Sequence, residues 1–284
     1  MIRGDCAVHF LFCSHTCPDD ILNIRRHSQF SGAKSYKFGS GAGESHAVMD
    51  DFVFVLGETG MLQVVHTTDQ AKGATPPSHI VDVYDVSAPG TDVATCKAGD
   101  ERLVAAATQG EKGKLDPGRV LLFTVNAEGK LTYKRTMVTG EGRLPDSILW
   151  TPDCRAIVAA CEGEAVPTNS SLDNPEGGIA VVKFRADSQG NVADDAGANF
   201  KFISFAAEGY NEPSKRDPLL KAGVRWSLRP ETKDAGFYDA NEQKIDIPEE
   251  MTTFSRDLEP EYVVLSKDGN TVYVGLQVSC TEPH

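Results

Sequence analysis

The strongest constraint on this chain is a segment that occurs twice. Leu144-Pro145-Asp146-Ser147-Ile148-Leu149-Trp150-Thr151-Pro152-Asp153 leads, three residues later, into Ile157-Val158-Ala159-Ala160-Cys161-Glu162. The same pattern returns without a gap as Glu259-Pro260-Glu261-Tyr262-Val263-Val264-Leu265-Ser266-Lys267-Asp268 and Val272-Tyr273-Val274-Gly275-Leu276-Gln277. Pro145 matches Pro260, Asp146 matches Glu261, and Asp153 matches Asp268. Each copy reads as strand, Asp-containing turn, strand. Two fainter copies lie upstream, at 52–58 and 100–109. The strand ends are Glu58, Gln109, Glu162 and Gln277, spaced by 51, 53 and 115 residues, the last close to two periods. A period near 50 with several short strands per unit predicts propeller blades of four strands each.

The rest of the chain punctuates this rhythm. Residues 1–33 follow neither the helical nor the strand period and read as an irregular leader. The β pattern begins at Lys34 and extends over 34–284. Residues 48–56 and 61–66 are expected to form one hairpin around Gly57-Glu58-Thr59-Gly60, and 79–86 alternates like a half-buried strand. Further strands are expected at 103–107, 119–125, 131–137 and 177–184, with turns at Asn126-Ala127-Glu128-Gly129 and Asp187-Ser188-Gln189-Gly190-Asn191. Residues 206–250 are polar and interrupted by prolines. They read as an insertion across one face, with a short helix at 218–223. The expected fold is therefore all-β, a partial β-propeller of about 50-residue four-stranded blades, with too few strands after Gln277 for a full last blade. A shortened propeller is the expectation.

Composition narrows the function. The formal net charge is −13 across 284 residues. Nucleic-acid binding needs a basic stripe, so it is not expected; cations and basic surfaces suit this charge better. No apolar run approaches the roughly 20 residues of a membrane helix. The apolar stretch 7–12, with Asp5 and His9 beside or within it, makes a poor signal peptide. Seven cysteines at irregular spacing give no disulfide framework. Cys161 takes the place of Leu276 and reads as a small buried hydrophobe; Cys154 takes the turn place of Gly269.

Leu144-Pro145-Asp146, Asp116-Pro117-Gly118-Arg119-Val120, Glu162-Gly163-Glu164, Asp173-Asn174-Pro175-Glu176-Gly177 and Arg256-Asp257-Leu258-Glu259-Pro260-Glu261-Tyr262 resemble the choice-of-anchor I family. The resemblance covers about residues 34–277 and is most specific over 257–277. That family includes mesenchyme-specific cell surface glycoproteins associated with biomineralisation. The resemblance implies a secreted or surface-anchored β-propeller that meets extracellular matrix, mineral or cell-surface proteins. Some bacterial relatives carry an alkaline-phosphatase label, which sets a calcium-dependent phosphoester hydrolase as the alternative activity. A shortened isoform without activity of its own is a third.

The densest set of oxygen ligands is Glu162, Glu164, Asp173 and Glu176, beside one loop after a strand. Asp257, Glu259 and Glu261 form a second acidic run, and Asp146 is the repeat partner of Glu261. Calcium takes six to eight oxygen ligands from irregular loops, so these eight carboxylates are the candidate calcium site. Corresponding strand ends in a propeller face one side, which would set Glu58, Gln109, Glu162 and Gln277 around one mouth of the channel. Asp100, Asp153 and Asp268 read as turn residues. No nucleophile elbow, zinc-protease motif or P-loop is present. Asn169-Ser170-Ser171 is a glycosylation sequon at Asn169, and Arg3-Gly4-Asp5 and Cys13-x-His15-x-Cys17 read as coincidences of the leader.

Overall fold

In the computed structural model the described residues are 7–11, 43–67, 79–168, 171–188, 190–192, 198–224, 226, 228, 237–238, 244–245 and 247–277. The first strand, β1 (Ala7–Leu11), belongs to the last sheet of the chain. Sheet one is β2 (Gly43–Met49), β3 (Phe52–Gly57), β4 (Met61–His66) and β5 (His79–Asp85). Sheet two is β6 (Gly90–Ala98), β7 (Glu101–Thr108), β8 (Pro117–Val125) and β9 (Leu131–Arg143). Both run in sequence order and are antiparallel throughout.

Sheet three starts with β10 (Pro145–Trp150) and β11 (Ala156–Cys161). A two-stranded ribbon, β12 (Val166–Pro167) and β13 (Leu172–Asp173), interrupts it before β14 (Gly178–Lys183) and β15 (Lys201–Ser204) complete the four. Helix α1 (Pro213–Lys221) and a second ribbon, β16 (Phe237–Tyr238) with β17 (Lys244–Ile245), occupy the expected insertion. Sheet four contains β18 (Pro260–Leu265) and β19 (Thr271–Leu276), with β1 added to β19 in parallel. Among the described residues no helix is long and apolar enough to cross a membrane.

Burial explains how the sheets stack. In β7, Leu103, Ala105 and Ala107 face the core shared with sheet three, while Val104 and Ala106 face sheet one. In β11, Ile157, Ala159 and Cys161 face sheet two, and Val158 and Ala160 face sheet four. Strands buried on both sides are continuous apolar runs, which is why Leu103 to Ala107 and Ile157 to Cys161 contain no polar residue. Strand β3 buries Phe52, Phe54 and Leu56 and leaves Val53 and Val55 half-buried. Strand β19 buries Val272 and Val274 only. Sheets one and four are thus the two ends of the described stack. The packing is that of successive propeller blades, all-β as the repeat predicted.

The inner strands are tied to one another by a repeated bond. Each carries a register shift at its start, between Gly43 and Ser45, Gly90 and Asp92, Pro145 and Ser147, and Pro260 and Tyr262. The residue just after the shift reaches the next sheet. Ser45 Oγ accepts from Val93 N at 3.4 Å, Asp92 Oδ2 from Ile148 N at 2.7 Å, and Ser147 Oγ from Val263 N at 3.5 Å.

Three expectations are corrected. Residues 48–56 are not one strand, because Asp50 adopts φ 53° and turns β2 into β3. The leader contains a strand, β1, paired with β19. The helix starts earlier than expected, at Pro213. Cysteine spacing left the pairing open, and the structure supplies one pair: Cys96 on β6 and Cys154, in the turn after β10, form a disulfide across sheets two and three, with Cα atoms 5.9 Å apart. Cys161 is buried with a free thiol, and burial pushes its pKa up to about 12.

Candidate functional site

The site lies where the ends of sheets three and four meet. The register shifts in β10 and β18 fall on Asp146 and Glu261, so the extra residue of each bulge is an acid at the same level of two neighbouring blades. Strand β11 delivers Glu162 and β19 delivers Gln277, each as the residue after the last strand position. Glycine allows the chain to close around them. Gly163 turns at φ 68°, and a Cβ there would lie 2.8 Å from the Glu176 backbone. A Cβ on Gly177 would lie 2.2 Å from Leu258 O and 3.0 Å from Glu162 O. These two positions let the loop after β11 press against the segment entering β18.

The electrostatics follow from this convergence. Glu162 is only 6% exposed. Burial pushes its pKa up to about 8, with the charges of Glu164, Glu259, Asp146 and Glu261 adding in that order. Glu259 is pushed up to about 7, first by burial, then by Asp257, Glu164 and Glu261, with Lys114 opposing. One amide stands between the two. With its nitrogen turned toward the carboxylates, Gln277 donates to Glu162 Oε1 at 3.1 Å and to Glu259 Oε2 at 3.1 Å. The Gln277 backbone N–H also donates to Glu259 O at 2.7 Å. Lys114, in the loop between β7 and β8, pairs with Glu164 and brings sheet two to the rim.

Six of the eight predicted carboxylates therefore share one field: Glu162, Glu164, Glu259, Glu261, Asp146 and Asp257. The Asp257 side chain also accepts from Leu228 N at 2.9 Å. The other two are held by arginine. Asp173 lies 2.5 Å from Arg143 Nη1, and Glu176 lies 3.3 Å from Arg256 Nε. Arg256 further donates to Asn174 O, and Asn174 Nδ2 donates to Met251 O at 2.9 Å, so this part of the loop is a clamp onto the insertion. Among the described residues, no three His, Cys, Asp or Glu side chains are grouped so as to hold one metal ion. The mouth is a field of negative charge rather than a preformed chelate.

The turn residues behave as read. Asp153 Oδ1 accepts from Arg155 N at 3.0 Å, and Asp268 Oδ1 accepts from Asn270 N at 3.1 Å. Asn169, the Arg-Gly-Asp triplet and the Cys-x-His-x-Cys triplet lie outside the described residues. Sequence reasoning missed Asp92, whose burial raises its pKa although Ser45, Ile148 and Val93 all donate to it. The signal was present, since Asp92 occupies the place of Ser147 in the repeat. It also missed Lys114, which stands in a loop without a repeat equivalent.

A family model described as "Choice-of-anchor I domain" matches residues 45–279. The chain belongs to that family. No curated protein matches it. Among solved structures it is similar to a Pseudomonas aeruginosa periplasmic gluconolactonase, PpgL, at 20% identity and TM-score 0.38, covering 76% of this chain and 57% of that one. It is also similar to Kluyveromyces lactis Hsv2, at 12% identity and TM-score 0.30, covering 56% of this chain and 60% of that one. The chain thus spans less than two thirds of either structure. The blade assignment rests on the sheets described above.

Proposed function

We propose that this chain is a non-enzymatic binding domain of an extracellular or cell-surface glycoprotein, of the mesenchyme-specific, biomineralisation-associated kind. Its acidic mouth would take calcium, calcium-bearing mineral or basic matrix partners. The observation that carries this reading is the convergence of Glu162 and Glu259, bridged by Gln277 and surrounded by Glu164, Asp146 and Glu261. Buried like charges raise the free energy of the unliganded mouth, and an incoming cation relieves that repulsion. Calcium suits such a site because it tolerates irregular oxygen shells and keeps water in the remaining positions.

The Cys96–Cys154 bridge supports the extracellular part of the proposal, since such bonds persist in oxidising compartments. Glycosylation at Asn169 belongs to the same proposal. The test is thermal unfolding of the purified chain with and without millimolar calcium. A rise in midpoint is expected, because a ligand that binds the folded state stabilises it. A sharp transition at an unchanged midpoint would reduce the acidic mouth to ordinary surface.

A further inference from the structure

The six acids that share the mouth's field come from sheets three and four and the segments that enter or leave them, whereas a cation reaches them from sheet two. Lys114 stands in the loop that follows β7, and its ammonium pairs with Glu164, in the loop that follows β11. Its charge also acts on Glu259, against those of Asp257, Glu164 and Glu261. The chain thus already seats one positive charge in its own acidic mouth.

This pair is open to water and free to exchange. The Lys114 and Glu164 side chains are 37% and 39% exposed, and an ion pair so exposed is weak. The loop that carries Lys114 is closed by its own short-range bonds. Gly113 N–H donates to Gly110 O at 3.1 Å, Asp116 N–H to Gly113 O at 3.4 Å, and Lys112 N–H to Asp116 Oδ2 at 3.1 Å. The lysine side chain can therefore swing away from Glu164 while the loop keeps its shape.

We propose, on the reading of the mouth as a cation site, that Lys114 is its built-in counter-ion, which an entering divalent cation displaces from Glu164. A tethered ammonium sets a threshold for entry. A monovalent ion exchanges one charge for one and gains nothing over a group the chain already holds at the site. A divalent ion brings twice the charge and can satisfy Glu164 together with a second carboxylate. While Lys114 occupies Glu164 only part of the population is ready to bind, so removing the lysine raises the apparent affinity.

Calcium alone is the probe. Calorimetry measures binding, and acetylation of lysines in the folded chain, read site by site by mass, measures release of Lys114. Sodium at matched ionic strength is the reference. Calcium should speed acetylation of Lys114 and leave Lys112, in the same loop, unchanged. Lys114→Gln should tighten calcium roughly two- to fivefold, the strength of a partly exposed ion pair. Lys112→Gln makes the same change in net charge, and Lys114→Arg keeps the counter-ion; both should stay close to wild type. Calcium binding that leaves Lys114 acetylation unchanged, or that is no tighter in Lys114→Gln than in Lys112→Gln, overturns the counter-ion role and leaves the cation mouth standing. Binding in Lys114→Gln but not in wild type supports both. Binding in neither overturns both.

Discussion

Removing the Cys96–Cys154 bridge frees two sheets that the disulfide holds together. The two cysteines are separated by 58 residues. Closing a loop of that size in the unfolded chain costs about 14 cal/mol/K, or about 4 kcal/mol at room temperature, and the bridge spares folding that cost. This is a large share of the roughly 5–15 kcal/mol that holds a typical domain. The perturbation is the double variant Cys96→Ala, Cys154→Gly. Glycine is chosen at 154 because that residue sits at φ 56°, and its repeat counterpart Gly269 sits at φ 70°. Glycine relieves the left-handed strain, so the loss reports the cross-link itself. The assay is urea unfolding of the variant beside wild type with and without reductant, with thiol state confirmed by mass. Wild type under reductant and the double variant should both show a clearly lower midpoint. An unchanged midpoint in a protein shown to be fully reduced would refute the chain-entropy reasoning.

Other outcomes follow from the packing and the charges. Asp92→Ala leaves the Ile148 amide without its acceptor and the Val93 amide with only the 3.4 Å contact to Ser45 Oγ, and should cost roughly 1–3 kcal/mol in urea unfolding, with Asp92→Asn losing less. Gly177→Ala puts a methyl group 2.2 Å from Leu258 O and should cost at least about 2 kcal/mol, with the insertion loosening first under limited proteolysis. Glu162 and Glu259 have folded pKa values raised to about 8 and about 7, so the folded state holds protons that the unfolded chain has released. Their contribution is greatest below the ordinary glutamate range and is lost as pH rises through about 7 to 8. Thermal midpoints measured from pH 5 to pH 9 should therefore fall across neutrality for wild type and fall less for Glu162→Gln.

The period was legible because each blade repeats the same demand for apolar residues and turn residues at the same places. The hairpin tips at Asp153 and Asp268 and the paired acids Asp146 and Glu261 lie where the repeat put them. What the sequence hid is long-range. Nothing local distinguishes Asp173 and Glu176 from Glu162 and Glu164, yet Arg143 and Arg256 occupy the first pair from distant segments. The disulfide was hidden for a related reason: cysteine spacing carries no information until the blades are stacked, and stacking places Cys154 beside the neighbouring strand β6. The β2–β3 turn is marked in the sequence by the Asp50-Asp51 pair, after which the apolar residues resume at Phe52.

The most direct test of the acidic mouth is calorimetric titration of the intact chain with calcium, beside the Glu162→Gln, Glu259→Gln variant at the same pH. A saturable heat in wild type that disappears in the folded variant is the predicted result. No saturable heat in wild type, or an identical isotherm in both, would contradict the assignment of this mouth as the binding surface.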